Sequence, residues 1–503
     1  MQKRQIIINS IMSVLQILVI SLVLFILYQY LIKTIGAEQF GIWSLVLATT
    51  AVTQIADLGL SGGIVKFVAK YIAKKEKENI SGIIQTAVIT IGITVGVVLI
   101  AGFPVIKWVL SLIIPRGSLS LAVAILPYAF IALWTCVITS IFQSSLDGYQ
   151  RFDLRSVILM GGAVFHLILC FWMVPKYGLI GLAYAKVIQN TSVLTASWLT
   201  LRKLLPNLPL VPFKWNKSLF KEMIGYSINF QIISVATMLY DPITKALLSK
   251  FGSLSMVGYY QMASKMIQKL HSLIMAANQV LVPAFAELKE KTPEKIQYIY
   301  LTSYQFLFYL VFPLYSLAVV SLPLISKIWI GSYENTFIVF ASFLSIGWLM
   351  DALSSPAYHA NLGIGKLRWN VAGHIAAAFL NLGLGIILGI LYQGIGVVIA
   401  WILSLALGSI IILFSYHLDY NIPFKELTPK TSRIPTVICI MGLTIVFFMR
   451  KYLSLDLNPF MMNVLTLLLF FTIIIIPYWK HPMRQRFMGW IETQLIKPRK
   501  NGE

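Results

Sequence analysis

A chain of 503 residues in which 58% are hydrophobic and only 12% charged, with a mean hydropathy of +0.81, does not read as a soluble globular protein. Soluble domains carry roughly 25% charged residues, and a chain of this length cannot hide so much apolar surface from water. A formal charge of +22 could signal nucleic acid, but the basic residues sit between apolar runs, which points to membrane topology instead.

A bilayer core of roughly 30 Å is crossed by about 20 apolar residues in a helix, and runs of that length recur from end to end. They lack the alternation that a spanning barrel needs. The fold class is therefore an all-α membrane protein with about 14 transmembrane helices. The first run, Ile6 to Ile32 behind Met1-Gln2-Lys3-Arg4, is too long for a signal peptide and lacks a small-residue cleavage site, so it reads as a retained span. Spans are expected at 9–32, 41–68, 82–104, 119–145, 156–174, 179–201 and 224–248, then at 257–283, 299–321, 336–357, 369–391, 395–416, 434–449 and 459–478.

With Lys3 and Arg4 placed in the cytoplasm, roughly 27 of the 40 basic residues fall in inside segments. Shifting the count by one helix would invert every later loop. The asymmetry thus predicts an even number of spans, with both termini cytoplasmic. The stretch from Arg202 to Met223 contains Pro206, Pro209 and Pro212 and reads as a linker between halves. Cys136, Cys170 and Cys439 all lie in apolar runs and are expected to be buried small hydrophobes.

Two stretches match at an offset of 215 residues. Gly148-Tyr149-Gln150-Arg151-Phe152 aligns with Gly363-Ile364-Gly365-Lys366-Leu367, and Tyr177, Gly181 and Ala185 align with Tyr392, Gly396 and Ala400. With slight slippage, Gly36-Ala37-Glu38-Gln39-Phe40-Gly41 matches Gly252-Ser253-Leu254-Ser255-Met256-Val257-Gly258. The offset covers an even number of spans, so the halves share one orientation. Two parallel six-helix lobes around a central cavity are expected, plus two extra C-terminal helices. The expected divisions are 1–205, the linker 206–223, the second lobe 224–420, and 421–503 for the last pair and basic tail.

Ionisable residues inside a span are costly and usually functional. At 100° per residue, Gln261, Lys265, Gln268, Lys269, Ser272 and Gln279 share one face of span 8. Span 7 does the same with Ser227, Ser234, Thr237, Asp241, Thr244 and Lys245, span 2 with Thr50, Thr53, Gln54, Asp57 and Ser61, and span 1 more weakly with Asn9, Ser13 and Gln16. These faces could line one cavity or simply glue helices together. Lys265 and Lys269 lack a carboxylate at pairing spacing on their own helix, which favours a waiting anion or a partner on another helix. Lys245 could join them or be neutralised by Asp241 four residues away. Lys186 is a further cavity candidate, and Lys66 reads as a snorkelling side chain. Asp57, Asp241 and Asp351 are candidates for ion coupling or gating. His166, His271 and His374 stand isolated and read as polar packing.

No G-x-x-x-x-G-K-[ST] loop, H-E-x-x-H site or G-x-S-x-G turn occurs, so no ATP engine, metalloprotease site or serine nucleophile is expected, nor any cofactor.

The stretch Ile35-Gly36-Ala37-Glu38-Gln39-Phe40-Gly41-Ile42-Trp43, with Ala56-Asp57-Leu58-Gly59-Leu60 and Lys66-Phe67-Val68-Ala69-Lys70-Tyr71, resembles the start of polysaccharide-biosynthesis membrane proteins. These are the Wzx-type flippases of lipid-linked oligosaccharides, in the superfamily that also holds MATE multidrug exporters and the lipid II flippase. Val257-Gly258-Tyr259-Tyr260 and Val282-Pro283-Ala284-Phe285-Ala286-Glu287 resemble the second-lobe counterpart. The resemblance implies a transporter, not an enzyme. It would carry undecaprenyl-pyrophosphate-linked oligosaccharide units for O-antigen, capsule or exopolysaccharide across a bacterial plasma membrane. Lys245, Lys265, Lys269, Lys186, Gln268 and Ser272 are the residues that would meet this cargo. Partners beyond the bilayer could include the polysaccharide polymerase and other assembly proteins; no nucleic acid is expected. The alternatives are a MATE-like exporter of small cationic or amphipathic molecules and a non-transporting scaffold of the assembly complex.

Overall fold

The computed structural model describes residues 3–51, 60–279, 281–452 and 458–485. Among the described residues every regular element is helical: α1 (Lys3–Ala51), α2 (Leu60–Ala73), α3 (Lys77–Ile113), α4 (Arg116–Gly148), α5 (Phe152–Leu204), α6 (Lys217–Phe251), α7 (Leu254–Asn278), α8 (Leu281–Lys291), α9 (Ile296–Trp329), α10 (Asn335–Ile364), α11 (Arg368–Asp419), α12 (Lys430–Tyr452) and α13 (Pro459–Trp479), with two short 3-10 turns. Nine helices among the described residues are long and apolar enough to cross a membrane. Three of them, α1, α5 and α11, are each two rods joined at a non-helical residue. The breaks fall at Gly36, Gly178 and Tyr392–Gln393, where the sequence separates spans 1 from 2, 5 from 6 and 11 from 12. Helices α6 and α7 occupy the places of spans 7 and 8.

The repeat is written into the backbone as well as the sequence. Gly178 breaks α5 at φ 55°, ψ −132°, and Gln393, 215 positions later, breaks α11 at φ 55°, ψ −143°. The turn after α4 takes a positive φ of 59° at Gln150, and the turn after α10 takes one of 82° at Gly365, again 215 positions on. Glycine suits such geometry because it has no Cβ. Gln150 and Gln393 show that the turn outlasts the glycine.

The chain packs as two compact units, one of Met1–Gln261 with Ile386–Val397, the other of Met262–Gly385 with Val398–Glu503. In the first, α1, α4 and α5 share the closest packing, with fully buried side chains such as Leu45, Ile125, Leu146 and Ala183. The second rod of α1 and the start of α7 approach backbone to backbone at Gly41 and Gly258, as small residues allow between membrane helices. In the second unit, Phe285, Tyr300, Tyr304, Phe308 and Tyr416 form one aromatic core. Helices α12 and α13 pack on α9 through Val320, Cys439, Val446, Phe470 and Ile474. Arg450 adds polar ties there, donating to the Val320 carbonyl at 2.8 Å and to Thr466 Oγ1 at 2.9 Å. All three cysteines are free thiols; Cys170 and Cys439 are buried as expected, whereas Cys136 is exposed.

The linker differs from its expected form. Expected at 206–223, it ends at Asn216, whose side-chain oxygen caps α6 by accepting from Ser218 N at 2.9 Å and Leu219 N at 3.2 Å. Burial of Leu219 and Met223 then favours helix over an open loop. The remaining segment is a strap bound along α3. Gln85 Oε1 accepts from Phe213 N and Lys214 N, both at 3.2 Å. Thr86 Oγ1 accepts from Asn216 N at 3.1 Å, and Trp215 Nε1 donates to Thr90 Oγ1 at 3.0 Å. Ser81 donates to the Asn207 carbonyl at 3.3 Å. The polar residues at the start of span 3 therefore satisfy the strap's backbone, which would otherwise be costly near hydrocarbon.

Candidate functional site

Helix α7 carries the expected cationic face as a gradient of exposure. Gln261 is buried and donates to Tyr28 Oη at 3.2 Å. Lys265 and Gln268 are half-buried, with Lys265 Nζ donating to Gln268 Oε1 at 3.2 Å. Lys269 and Ser272 are exposed, and the Ser272 hydroxyl turns back onto the Lys269 carbonyl at 2.8 Å. Lys265 and Lys269 lie four residues apart on one helix, a spacing at which like charges repel. Among the described residues, neither lysine forms an ion pair with a carboxylate.

Lys245 is a different case. It is 3% exposed, and its ammonium lies 2.5 Å from Asp241 Oδ2. Of the two roles open to it in the sequence, this is the neutralising one. Thr244 beside it is fully buried and bonds to the Tyr240 carbonyl at 2.8 Å. Asp241, the gating candidate of this helix, is half-buried and paired with that lysine. Lys186 is half-buried in the second rod of α5 and donates to Gln189 Oε1 at 2.8 Å. Asp57, Thr53 and Gln54 lie outside the described residues, as do the side chains of Ser61, Ser227, Ser234 and Thr237.

The polar face of span 1 acts as glue. Asn9 Nδ2 donates to the Gln150 carbonyl at 2.9 Å, and its oxygen accepts from Gln5 at 3.0 Å and from Asp153 N at 3.3 Å. Gln16 accepts from Ser156 at 2.8 Å. These side chains hold the turn between α4 and α5, so this weaker stripe is spent on packing. Lys66 is exposed and leans towards the Phe67 ring, 5.8 Å from its centroid, in keeping with a snorkelling side chain.

At the start of α6, Glu222 accepts from Lys70 Nζ at 2.6 Å and from Tyr71 Oη at 3.0 Å. The Lys70 hydrogen bond, with help from Tyr71, holds its carboxyl below the ordinary glutamate value.

The histidines do not stand isolated as the sequence suggests. His271 is not isolated: its Nε2 lies 3.1 Å from Asp351 Oδ2 and its Nδ1 lies 3.2 Å from Tyr315 Oη. Asp351 Oδ1 accepts from Ser409 at 3.3 Å. The four residues come from α7, α9, α10 and α11. Only a fold brings them together, so no sequence spacing could reveal the group; the sole hint was that Asp351 had to find some partner inside a span. His166 also has company, with Nε2 3.5 Å from Cys170 Sγ.

Residues 6–289 match the model of a family described as polysaccharide biosynthesis protein. A putative O-antigen transporter of Shigella flexneri is 20% identical over 395 residues, which cover 77% of this chain and 92% of that protein. Among solved structures, the lipid II flippase MurJ in its inward closed conformation superposes with a TM-score of 0.71 at 13% identity, covering 98% of this chain and 100% of that one. An inward-facing multidrug resistance MATE family transporter of the MOP superfamily follows at 0.68 and 14% identity, covering 79% of this chain and 94% of the other. At these identities the structural likeness shows the fold, a multi-pass membrane transporter fold.

Proposed function

The chain belongs to the polysaccharide biosynthesis protein family, and from that premise we propose that it is a flippase for undecaprenyl-pyrophosphate-linked oligosaccharide. It would act by alternating access in a bacterial plasma membrane, with both termini cytoplasmic and the two six-helix lobes at 1–205 and 224–420. Lys265 and Lys269 carry the reading: two cations one turn apart within an expected span, with no carboxylate paired to them among the described residues. A bare pyrophosphate cannot cross hydrocarbon, because an isolated charge there costs tens of kcal/mol by Born solvation. Paired ammoniums replace the water it gives up, and lysine does so as a mobile point charge. Gln268 and Ser272 add hydrogen-bonding groups on the same face. Lys186 is a secondary contact, and within α6 Asp241 neutralises the buried Lys245. Polymerase and other assembly proteins would take the cargo onward.

The MATE fold likeness keeps a second reading, an exporter of small cationic or amphipathic molecules. Lysines on α7 with no carboxylate paired to them among the described residues favour an anionic cargo instead. Reconstitution decides between them: the purified protein in liposomes should move a labelled undecaprenyl-pyrophosphate oligosaccharide and leave a cationic dye where it is. Dye transport without movement of the lipid-linked sugar would reject the flippase reading. In cells, loss of the gene should accumulate the lipid-linked oligosaccharide on the cytoplasmic side and abolish the surface polymer. Labelling of Asn207 or Glu294 from outside the cell would reject the orientation.

A further inference from the structure

We propose that the strap between α5 and α6 is a lipid-binding surface, seated in the cytoplasmic leaflet and selective for anionic phospholipid headgroups. Leu210, Val211, Phe213 and Trp215 are between 48% and 71% exposed, four large apolar side chains within six residues. Such a group marks a contact surface. The strap that carries it is preformed. Leu205 and Leu208 are buried, and Pro206, Pro209 and Pro212 fix φ at every third residue.

Its depth points to lipid. The span of α3 is expected to begin at residue 82, and the residues that hold the end of the strap lie inside it. Thr86, which binds Asn216 N, is about 6 Å past that start, and Thr90, which binds the Trp215 indole, about 12 Å. The strap therefore runs at the boundary of headgroups and chains. There an indole keeps its ring in the apolar layer and its N–H bonded.

Charge selects the headgroup. Residues 201–221 contain five basic side chains, Arg202, Lys203, Lys214, Lys217 and Lys221, and no acidic one. None of the five is ion-paired to a carboxylate among the described residues. Beside an anionic leaflet each such cation supplies about a fivefold factor in binding. A lysine stem lies along apolar surface while its ammonium reaches the phosphate.

The internal repeat contains a second strap for comparison. Pro212-Phe213-Lys214 recurs as Pro423-Phe424-Lys425, in the segment that leaves the second six helices. That segment is also tied to the third span of its lobe, Tyr304 on α9 donating to the Leu427 carbonyl at 3.0 Å. There the phenylalanine is used inside the protein: Phe424 lies 5.0 Å from the Phe414 ring and stacks on His417. Phe213 instead stands exposed, and Trp215 takes the place of Glu426. The surplus of apolar surface and positive charge belongs to one copy, so holding the turn does not require it.

The experiment reads Trp215 in the purified full chain, reconstituted in phosphatidylcholine with a minor share of lipid brominated in its acyl chains. Bromine quenches an indole that it touches, and the difference in emission between wild type and Trp215→Phe isolates this residue among the twelve tryptophans. Both brominated phosphatidylglycerol and brominated phosphatidylcholine should quench the difference. The anionic lipid should show a local enrichment of about fivefold or more. Molar salt, which shortens screening to about 3 Å, should narrow that preference. So should the double variant Lys214→Gln, Lys217→Gln, whose exposed positions leave the buried leucines in place. Equal quenching by the two lipids in wild type, or a preference unchanged in the double variant, overturns the anionic selectivity. Emission that neither lipid quenches overturns the lipid seat and leaves the surface to a protein partner.

Native mass spectrometry in detergent gives a reading independent of Trp215. The double variant should retain at least one phosphatidylglycerol fewer than wild type, and equal retention overturns the site. The proposal uses the orientation above but not the cargo. Labelling of Asn207 from outside the cell would overturn the choice of leaflet and leave the quenching result intact. A protein that seats the lipid but moves no lipid-linked sugar upholds the strap and loses only the flippase reading.

Discussion

Gly41 and Gly258 pack against one another's helices by the same contact made twice. A Cβ on Gly41 would run into the Leu254 carbonyl and sit 3.1 Å from Gly258 N; one on Gly258 would run into the Ala37 carbonyl and sit 3.4 Å from Gly41 N. Ala37 precedes Gly41 by four residues as Leu254 precedes Gly258, so the crossing is reciprocal, as around a two-fold axis. Backbone cannot yield as a flexible side chain can. Gly41→Ala and Gly258→Ala should each cost about 1–3 kcal/mol or more, the range for overpacking, and a lower thermal midpoint of the purified protein would show it. Near-normal midpoints for both would mean the helices stand further apart.

Lys265→Ala and Lys269→Ala should each weaken transport of lipid-linked oligosaccharide at unchanged protein level, because half-buried and exposed lysines leave no packed void. Arginine at either position should be partly tolerated, while glutamate should do worse than alanine by repelling the anion. Surface polymer and lipid-linked intermediate, quantified in the same cells, report the effect. Full activity of the Lys265→Ala, Lys269→Ala double variant would remove the anion site.

The pairing of buried Lys245 with half-buried Asp241 leads to the opposite expectation, a stability phenotype with rescue. Lys245→Ala should destabilise the protein, since it removes a buried side chain and leaves the half-buried Asp241 carboxylate without its cation. Adding Asp241→Asn should restore most of that loss. Thermal unfolding of both single variants and the double variant forms the cycle. Failure of rescue would imply that Lys245 serves something other than its aspartate.

Gln393 holds a backbone conformation that its counterpart Gly178 adopts without strain. Gln393→Gly should therefore raise stability by about 1 kcal/mol, the strain relieved less the added freedom of the unfolded chain. A fall in the midpoint would show that the glutamine side chain contributes more than its backbone costs.

Span positions were legible because hydropathy and length are properties of contiguous residues. The breaks at Gly36 and Gly178 fall between the apolar runs of the sequence. Lys265 and Lys269 stand out as candidates because no carboxylate lies at pairing spacing on their own helix. What could not be read was pairing across helices. Nothing near His271 announces Asp351, and nothing in the stripe Asn9, Ser13, Gln16 tells glue from a cavity wall. Gln85 and Thr90 were equally mute, since their partners, Phe213, Lys214 and Trp215, belong to a segment that looked like an idle linker.

The strap also imposes an order of events on synthesis. Gln85 and its partner Phe213 are separated by 128 residues, which at roughly 5–20 residues per second means that the nascent chain waits about 6–26 s before the acceptor meets its final donors. During that interval span 3 lies in the translocation machinery or the bilayer with an amide oxygen still unclaimed. Its hold on the membrane is weakest then. Completion of the first six helices and arrival of the strap close that window together, so the last step in maturing the first half of the protein is the docking of the chain that leads into the second.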